Sequence, residues 1–126
     1  MTADRLFNLE RLHHVLLSIP AGGEEQCRNF WGQILGMTEL EKPTELATRG
    51  GCWFRGGGIE IHLGVEKDFS PARKAHPAIV VTDLTAFADH LRVNEVPIAW
   101  DDNFPGFNRF YAHDPFGNRL EFLQPK

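Results

Sequence analysis

The chain writes one pattern twice, and that repeat constrains its fold more than any other feature. Leu12–Ile19 is a run of mostly apolar residues, broken by His13, His14 and Ser18, that Pro20 ends, and it reads as a buried strand. From Glu24 to Leu35 the period changes. Cys27, Phe30, Trp31 and Ile34 fall at i, i+3, i+4 and i+7, one face of a helix. Glu24 and Glu25 suit its positive N-terminus and Gly36 its C-terminal cap. Strand candidates follow at Thr38–Glu41, Cys52–Arg55 and Ile59–Leu63, the last two joined by a turn at Gly56-Gly57-Gly58. The second half starts again with a strand at His76–Thr82 and an N-cap at Asp83. A helical face follows at Leu84, Phe87, Ala88 and Leu91, then strands at Val96–Trp100, Arg109–Ala112 and Arg119–Leu123. The turn before the last strand is Asp114-Pro115-Phe116-Gly117-Asn118.

Each half is therefore βαβββ, an α+β plan. One domain is expected over 8–126, with module one at 11–64, a polar linker at 65–75 and module two at 76–124. A chain of 126 residues is long enough to bury a core without staples. Cys27 and Cys52 lie in apolar contexts and read as buried free thiols. The formal net charge of −4 argues against a nucleic acid or an anionic membrane as partner. No apolar run approaches the length of a membrane span, and the first ten residues lack the core of a signal peptide, so the expected location is cytoplasmic.

Alternation then sorts the strand residues by face. If Val15, Leu17 and Ile19 point to the helix, His14, Leu16 and Ser18 point away, and His13 points to the core. Glu60 and His62 face away likewise, as do Trp53, Arg55, Arg109, Tyr111, Arg119 and Glu121. With Pro77, Ile79 and Val81 against the helix, His76 joins them. The repeat also carries chemistry. His14 precedes Glu60 by 46 positions and His76 precedes Glu121 by 45. Two imidazoles and two carboxylates are a plausible shell for a divalent metal. Without a cation, two carboxylates facing one cavity would repel and be costly to bury. His62 competes with Glu60, since both lie on one face. Taken alone, His14 reads equally as a buried structural histidine. Arg55 and Arg109 either grip an anionic substrate group or form ion pairs. Trp53 and Tyr111 either line a pocket or pack at an interface. Phe104–Phe107 is either a lid or an ordinary connection.

Three segments carry a resemblance. They are Leu12-His13-His14-Val15, the run from Ala75 to Leu84, and Asp114-Pro115-Phe116-Gly117-Asn118-Arg119-Leu120-Glu121-Phe122. The chain resembles the vicinal oxygen chelate superfamily of glyoxalases, bleomycin resistance proteins and dioxygenases, as a small glyoxalase-like member. The resemblance implies two βαβββ modules whose sheets curl into an open cup. It implies metal ligands at His14, Glu60, His76 and Glu121, with His62 as the substitute for Glu60. It implies Zn, Ni, Co, Mn or Fe(II), and a homodimer whose site draws on both chains. The implied activity is isomerase or lyase chemistry on a small oxygenated substrate, with Glu121 or Glu60 moving a proton and Trp53, Arg55, Arg109 and Tyr111 holding the substrate. The alternatives are a drug-sequestering protein of the bleomycin-resistance type and, further off, an extradiol-type dioxygenase.

Overall fold

The computed structural model describes residues 5–126. Two four-stranded sheets form, in the orders β1-β4-β3-β2 and β5-β8-β7-β6. The first holds β1 (Val15–Ile19), β2 (Thr38–Leu40), β3 (Cys52–Gly56) and β4 (Ile59–Val65). The second holds β5 (Ala78–Val80), β6 (Ala99–Asp101), β7 (Phe107–His113) and β8 (Arg119–Pro125). In each sheet the first strand runs parallel to the last, and the other pairs are antiparallel. The two βαβββ modules are thus as the sequence implies, in unclosed, curled sheets. The expected strands all form, but β5 is shorter than His76–Thr82, and β6 starts three residues later than Val96. No helix among the described residues is long and apolar enough to cross a membrane.

The first helix departs from a regular α-helix. Its α1 turn (Glu24–Cys27) runs on into a π-helical stretch, Arg28–Ile34, where Leu35 N–H reaches Phe30 C=O at 2.9 Å. The wider turn reduces the angle between successive side chains. Phe30 and Trp31, adjacent in sequence, are accordingly both buried, with rings edge to face 5.1 Å apart. A short helix, α2 (Thr44–Ala47), lies between β2 and β3, where the sequence pattern gave no element. In the second module α3 (Leu84–Val93) is capped by Asp83, whose carboxylate accepts from Ala86 N–H at 3.1 Å. Replacing Asp83 by Ala removes that acceptor and should cost about 1 kcal/mol of stability, read from urea unfolding. An unchanged midpoint would show that the cap contributes nothing.

Both modules share one core, from Ile19, Cys27, Trp31 and Phe54 through Leu84, Phe110 and Phe122. Cys27 and Cys52 are buried and free. The turn that most resembles a family signature does structural work at the join. The Asp114 carboxylate accepts from Phe116 N–H, Asn118 N–H and Asn118 Nδ2 at 2.8–2.9 Å. Asn118 Nδ2 also donates to Ser18 C=O at 2.8 Å, across to β1. Beside it the Phe116 ring lies so close to Gly23 that a Cβ there would meet it at 2.5 Å. His90 on α3 donates to Ile34 C=O at 2.7 Å, a second bond between the modules. His13, expected on the core side, is exposed instead. It precedes β1, so strand alternation does not reach it, and its ring meets His14 edge-on at 5.2 Å.

Candidate functional site

Register decides which residues stand side by side on the concave face. In the first sheet Leu16, His62, Trp53 and Leu40 stand side by side across four strands. In the second the matching row is Ala78, Glu121, Tyr111 and Ala99. The alternation read from sequence therefore holds for every strand residue singled out. The equal His–Glu spacings do not mark equivalent positions, however. Glu121 lies beside the residue two beyond His76, and His62 lies beside the residue two beyond His14. By strand pairing it is His62, not Glu60, that occupies the place of Glu121. The connection from β1 to β2 is longer than that from β5 to β6, with Leu16 and Leu40 of one row 24 positions apart and Ala78 and Ala99 of the other 21, so counting residues misplaces the partner.

In the first module three rings stack. His14 lies on His62 with centroids 3.8 Å apart, and His62 lies on Trp53 at 4.0 Å. His62 Nε2 meets Glu60 Oε2 at 2.7 Å, and Arg55 donates to Glu60 Oε1 from Nε and Nη2 at 3.0 and 2.9 Å. These two partners, His62 before Arg55, hold the Glu60 carboxyl below the ordinary carboxylate range. His14 is lowered from the ordinary histidine value, first by loss of water and then by His62 and His13.

The second module holds a similar trio on different strands. His76 Nε2 meets Glu121 Oε1 at 2.9 Å, and Arg109 Nη1 donates to Glu121 Oε2 at 3.2 Å. Glu121 is only 4% exposed. Arg109 also grips Asp101 at 2.6 Å and lies 5.2 Å from the Tyr111 ring centre. Each carboxylate thus has its own arginine. The burial cost that the sequence argument left to a metal is offset here by guanidinium groups. Arg55 and Arg109 are accordingly ion-pair residues.

Among the described residues no group of three or more His, Cys, Asp or Glu side chains is placed to hold one ion. Within one chain the candidates form two groups, His14 with His62 and Glu60, and His76 with Glu121. The second nonetheless suits a divalent cation. His76 Nδ1 donates to Lys74 C=O at 2.5 Å. A carbonyl on Nδ1 fixes the tautomer and leaves Nε2 as the ligating nitrogen. Two ligands at right angles, each ~2.1 Å from a metal, sit roughly 3 Å apart, and Nε2 and Oε1 are 2.9 Å apart. The residues present therefore fit a metal at this pair.

Sequence reasoning put Arg119 on this face without a role and passed over Lys42 and Arg49. Arg119 lies 4.1 Å over the Tyr111 ring centre. Its guanidinium also reaches Arg73 C=O at 3.5 Å and makes no ion pair among the described residues, which strand phase alone does not reveal. Lys42 and Arg49 line a hollow beside Trp53 and His62. They flank α2, which no periodicity announced.

A family model for the glyoxalase/bleomycin resistance protein/dioxygenase superfamily matches residues 11–122. A solved structure from Bacillus anthracis, described as a glyoxalase family protein, is 43% identical, covering 97% of this chain and 100% of its own, with a TM-score of 0.93. A glyoxalase/dioxygenase from Nostoc punctiforme shares 23% identity, over 100% of this chain and 98% of its own, and superimposes with a TM-score of 0.76. An antibiotic binding protein from Streptomyces shares 20% over 94% of this chain and 100% of its own, with a TM-score of 0.71. The last two show a common fold. No curated protein matches the sequence. With the family model covering both modules and the cup built as the sequence implies, this chain belongs to the glyoxalase/bleomycin resistance protein/dioxygenase superfamily.

Proposed function

We propose that the chain is a metal-dependent enzyme of the glyoxalase type, an isomerase or lyase acting on a small oxygenated substrate in the cup. The observation that carries this reading is the His76–Glu121 pair, with Nδ1 anchored and Nε2 presented beside a carboxylate oxygen. His14 is the third ligand in this reading, and His62 or Glu60 the fourth. Register favours His62. The set has no thiolate, which suits Zn, Ni, Co, Mn or Fe(II). Because one chain holds the donors as two groups, the reading includes a homodimer that completes the shell across two copies. A cytoplasmic setting goes with it.

When bound, the metal supplies positive charge that polarises neighbouring substrate oxygens. The chain's own residues do the rest. Glu60, kept ionised by His62 and Arg55, accepts a proton at its carboxylate from the substrate carbon next to the polarised oxygen. Arg109 holds Glu121 by Oε2 and leaves Oε1 to the site. Trp53 and Tyr111 flank the substrate, and Arg55 and Arg109 act through the glutamates they hold.

The test is elemental analysis of protein purified without a chelating tag. About one divalent metal per chain is expected, with affinity falling in His62→Ala more than in Glu60→Gln. A chain that carries no stoichiometric metal and binds none on titration defeats the enzyme reading in this form. The reading as a drug-sequestering protein has one observation in its favour, the open three-ring stack ending on Trp53, and it fits the antibiotic-binding neighbour. It predicts tight binding of a planar molecule without metal and no turnover of a thiol hemiacetal of a 2-oxoaldehyde.

A further inference from the structure

We infer that the hollow under β1, β3, β4 and α2 takes the tail of the substrate, a planar apolar group ending in an anion. The inference rests on the reading that the concave face binds substrate. The hollow measures about 420 Å³ and is lined by Leu16, Trp53, His62, Leu46, Lys42 and Arg49, among others. That volume is within the range of small-molecule sites, roughly 300–1,000 Å³.

Its shape follows from glycines. Position 64 faces the cup, two beyond His62, and as glycine it leaves bare backbone for a floor. Leu16 leans over it, with Cδ1 3.2 Å from where a Cβ would be. Gly50 and Gly51, at φ +75° and +82°, turn the chain from α2 back into β3 and so set Leu46 and Arg49 against the opening. The apolar walls are Leu16, Leu46 and the Trp53 indole, whose ring lies parallel to His62.

Charge gives the hollow its polarity. The cup arginines read from sequence, Arg55 and Arg109, are taken by Glu60, Asp101 and Glu121. Lys42 and Arg49 are in no ion pair among the described residues. Lys42 donates to Gly50 C=O, which fixes the ammonium at the rim. Against these two cations the lining offers one carboxylate, Glu66. Nearby Glu24 accepts from Gly51 N–H at 2.7 Å; that bond first, and the charges of Arg28 and Lys42 after it, hold its carboxyl below the ordinary range, so Arg49 is the less compensated of the two cations. An otherwise acidic chain thus has a cationic rim around an aromatic wall, next to His62. A flat anion with its apolar body on Trp53 and its charge at Lys42 and Arg49 meets both needs. Carboxylate and phosphate share this chemistry.

The test is a titration of isotope-labelled protein, as purified and after EDTA treatment, with phenylacetate, phenyl phosphate and neutral phenylacetamide. Amide shifts at Arg49, Trp53 and Gly64 are expected with one or both anions, which identifies the headgroup. The neutral amide should bind about tenfold more weakly. Arg49→Gln, an exposed change, should erase that preference while leaving phenylacetamide binding as it was. Lys42→Gln should act in the same sense. Equal binding of the amide, shifts centred on Tyr111 and Arg119, an anion preference that survives both variants, or no saturable shift with either anion would each overturn the inference. Metal content does not read Lys42 or Arg49, so this result and the elemental analysis fail independently.

Discussion

Glu121→Gln is expected to reduce divalent-metal affinity by more than the ~10–100-fold that loss of an outer-shell partner brings. Turnover of a thiol hemiacetal substrate should fall with it, by at least about 10²-fold where metal is limiting. The side chain is nearly isosteric, so the loss would be one of charge and ligand character. Glu121 offers Oε1 toward the site beside His76 Nε2, while Oε2 is held by Arg109. Glutamine keeps one carbonyl oxygen and sets an amide N–H₂ against a histidine or a guanidinium, which have no use for a second donor. Arg109 retains Asp101, so it is not left unpaired. The stability cost should therefore stay near 1–3 kcal/mol, the loss of charge-assisted bonds at a buried position. A variant that folds, keeps a wild-type metal content and turns over normally would remove Glu121 from the site.

Gly51→Ala is expected to destabilise the fold by ~3 kcal/mol or more. Gly51 has φ +82°, which costs an L-residue about 1–2 kcal/mol by itself. A Cβ there would also lie 2.0 Å from Leu63 C=O, a backbone atom in the middle of β4 that cannot move aside alone. Gly57→Ala is the control. It too has positive φ, +57°, but a Cβ there would meet open space. Its cost should stay near 1 kcal/mol. Urea unfolding of the two variants separates conformational strain from collision. Similar midpoints would show that β4 yields and that the approach at Gly51 is not tight.

The sequence showed the concave face because alternation is local. A strand side chain's face depends only on its own phase, so Glu60, His62, Trp53, Arg55, Arg109, Tyr111 and Glu121 could be placed before any pairing was known. His13 escaped this logic because it precedes β1. The helix capped by Asp83 was legible for the same local reason, whereas α2, a single turn with no apolar stripe, was not. The signature turn at Asp114–Asn118 was visible as a motif. Its contribution, tying the second module to Ser18 and Gly23 of the first, depends on residues about a hundred positions away.

By itself the sequence determined the two βαβββ modules, the face that carries the chemistry and the residue types on it. Only the tertiary structure decided partnership. It matched His62 rather than Glu60 with Glu121, gave each carboxylate its own arginine, and left Lys42 and Arg49 beside Trp53 without an ion pair among the described residues. Period and propensity act between near neighbours along the chain. Ion pairs, register and cavities depend on which strands meet, and the lengths of the connections between them shift that pairing without changing either period.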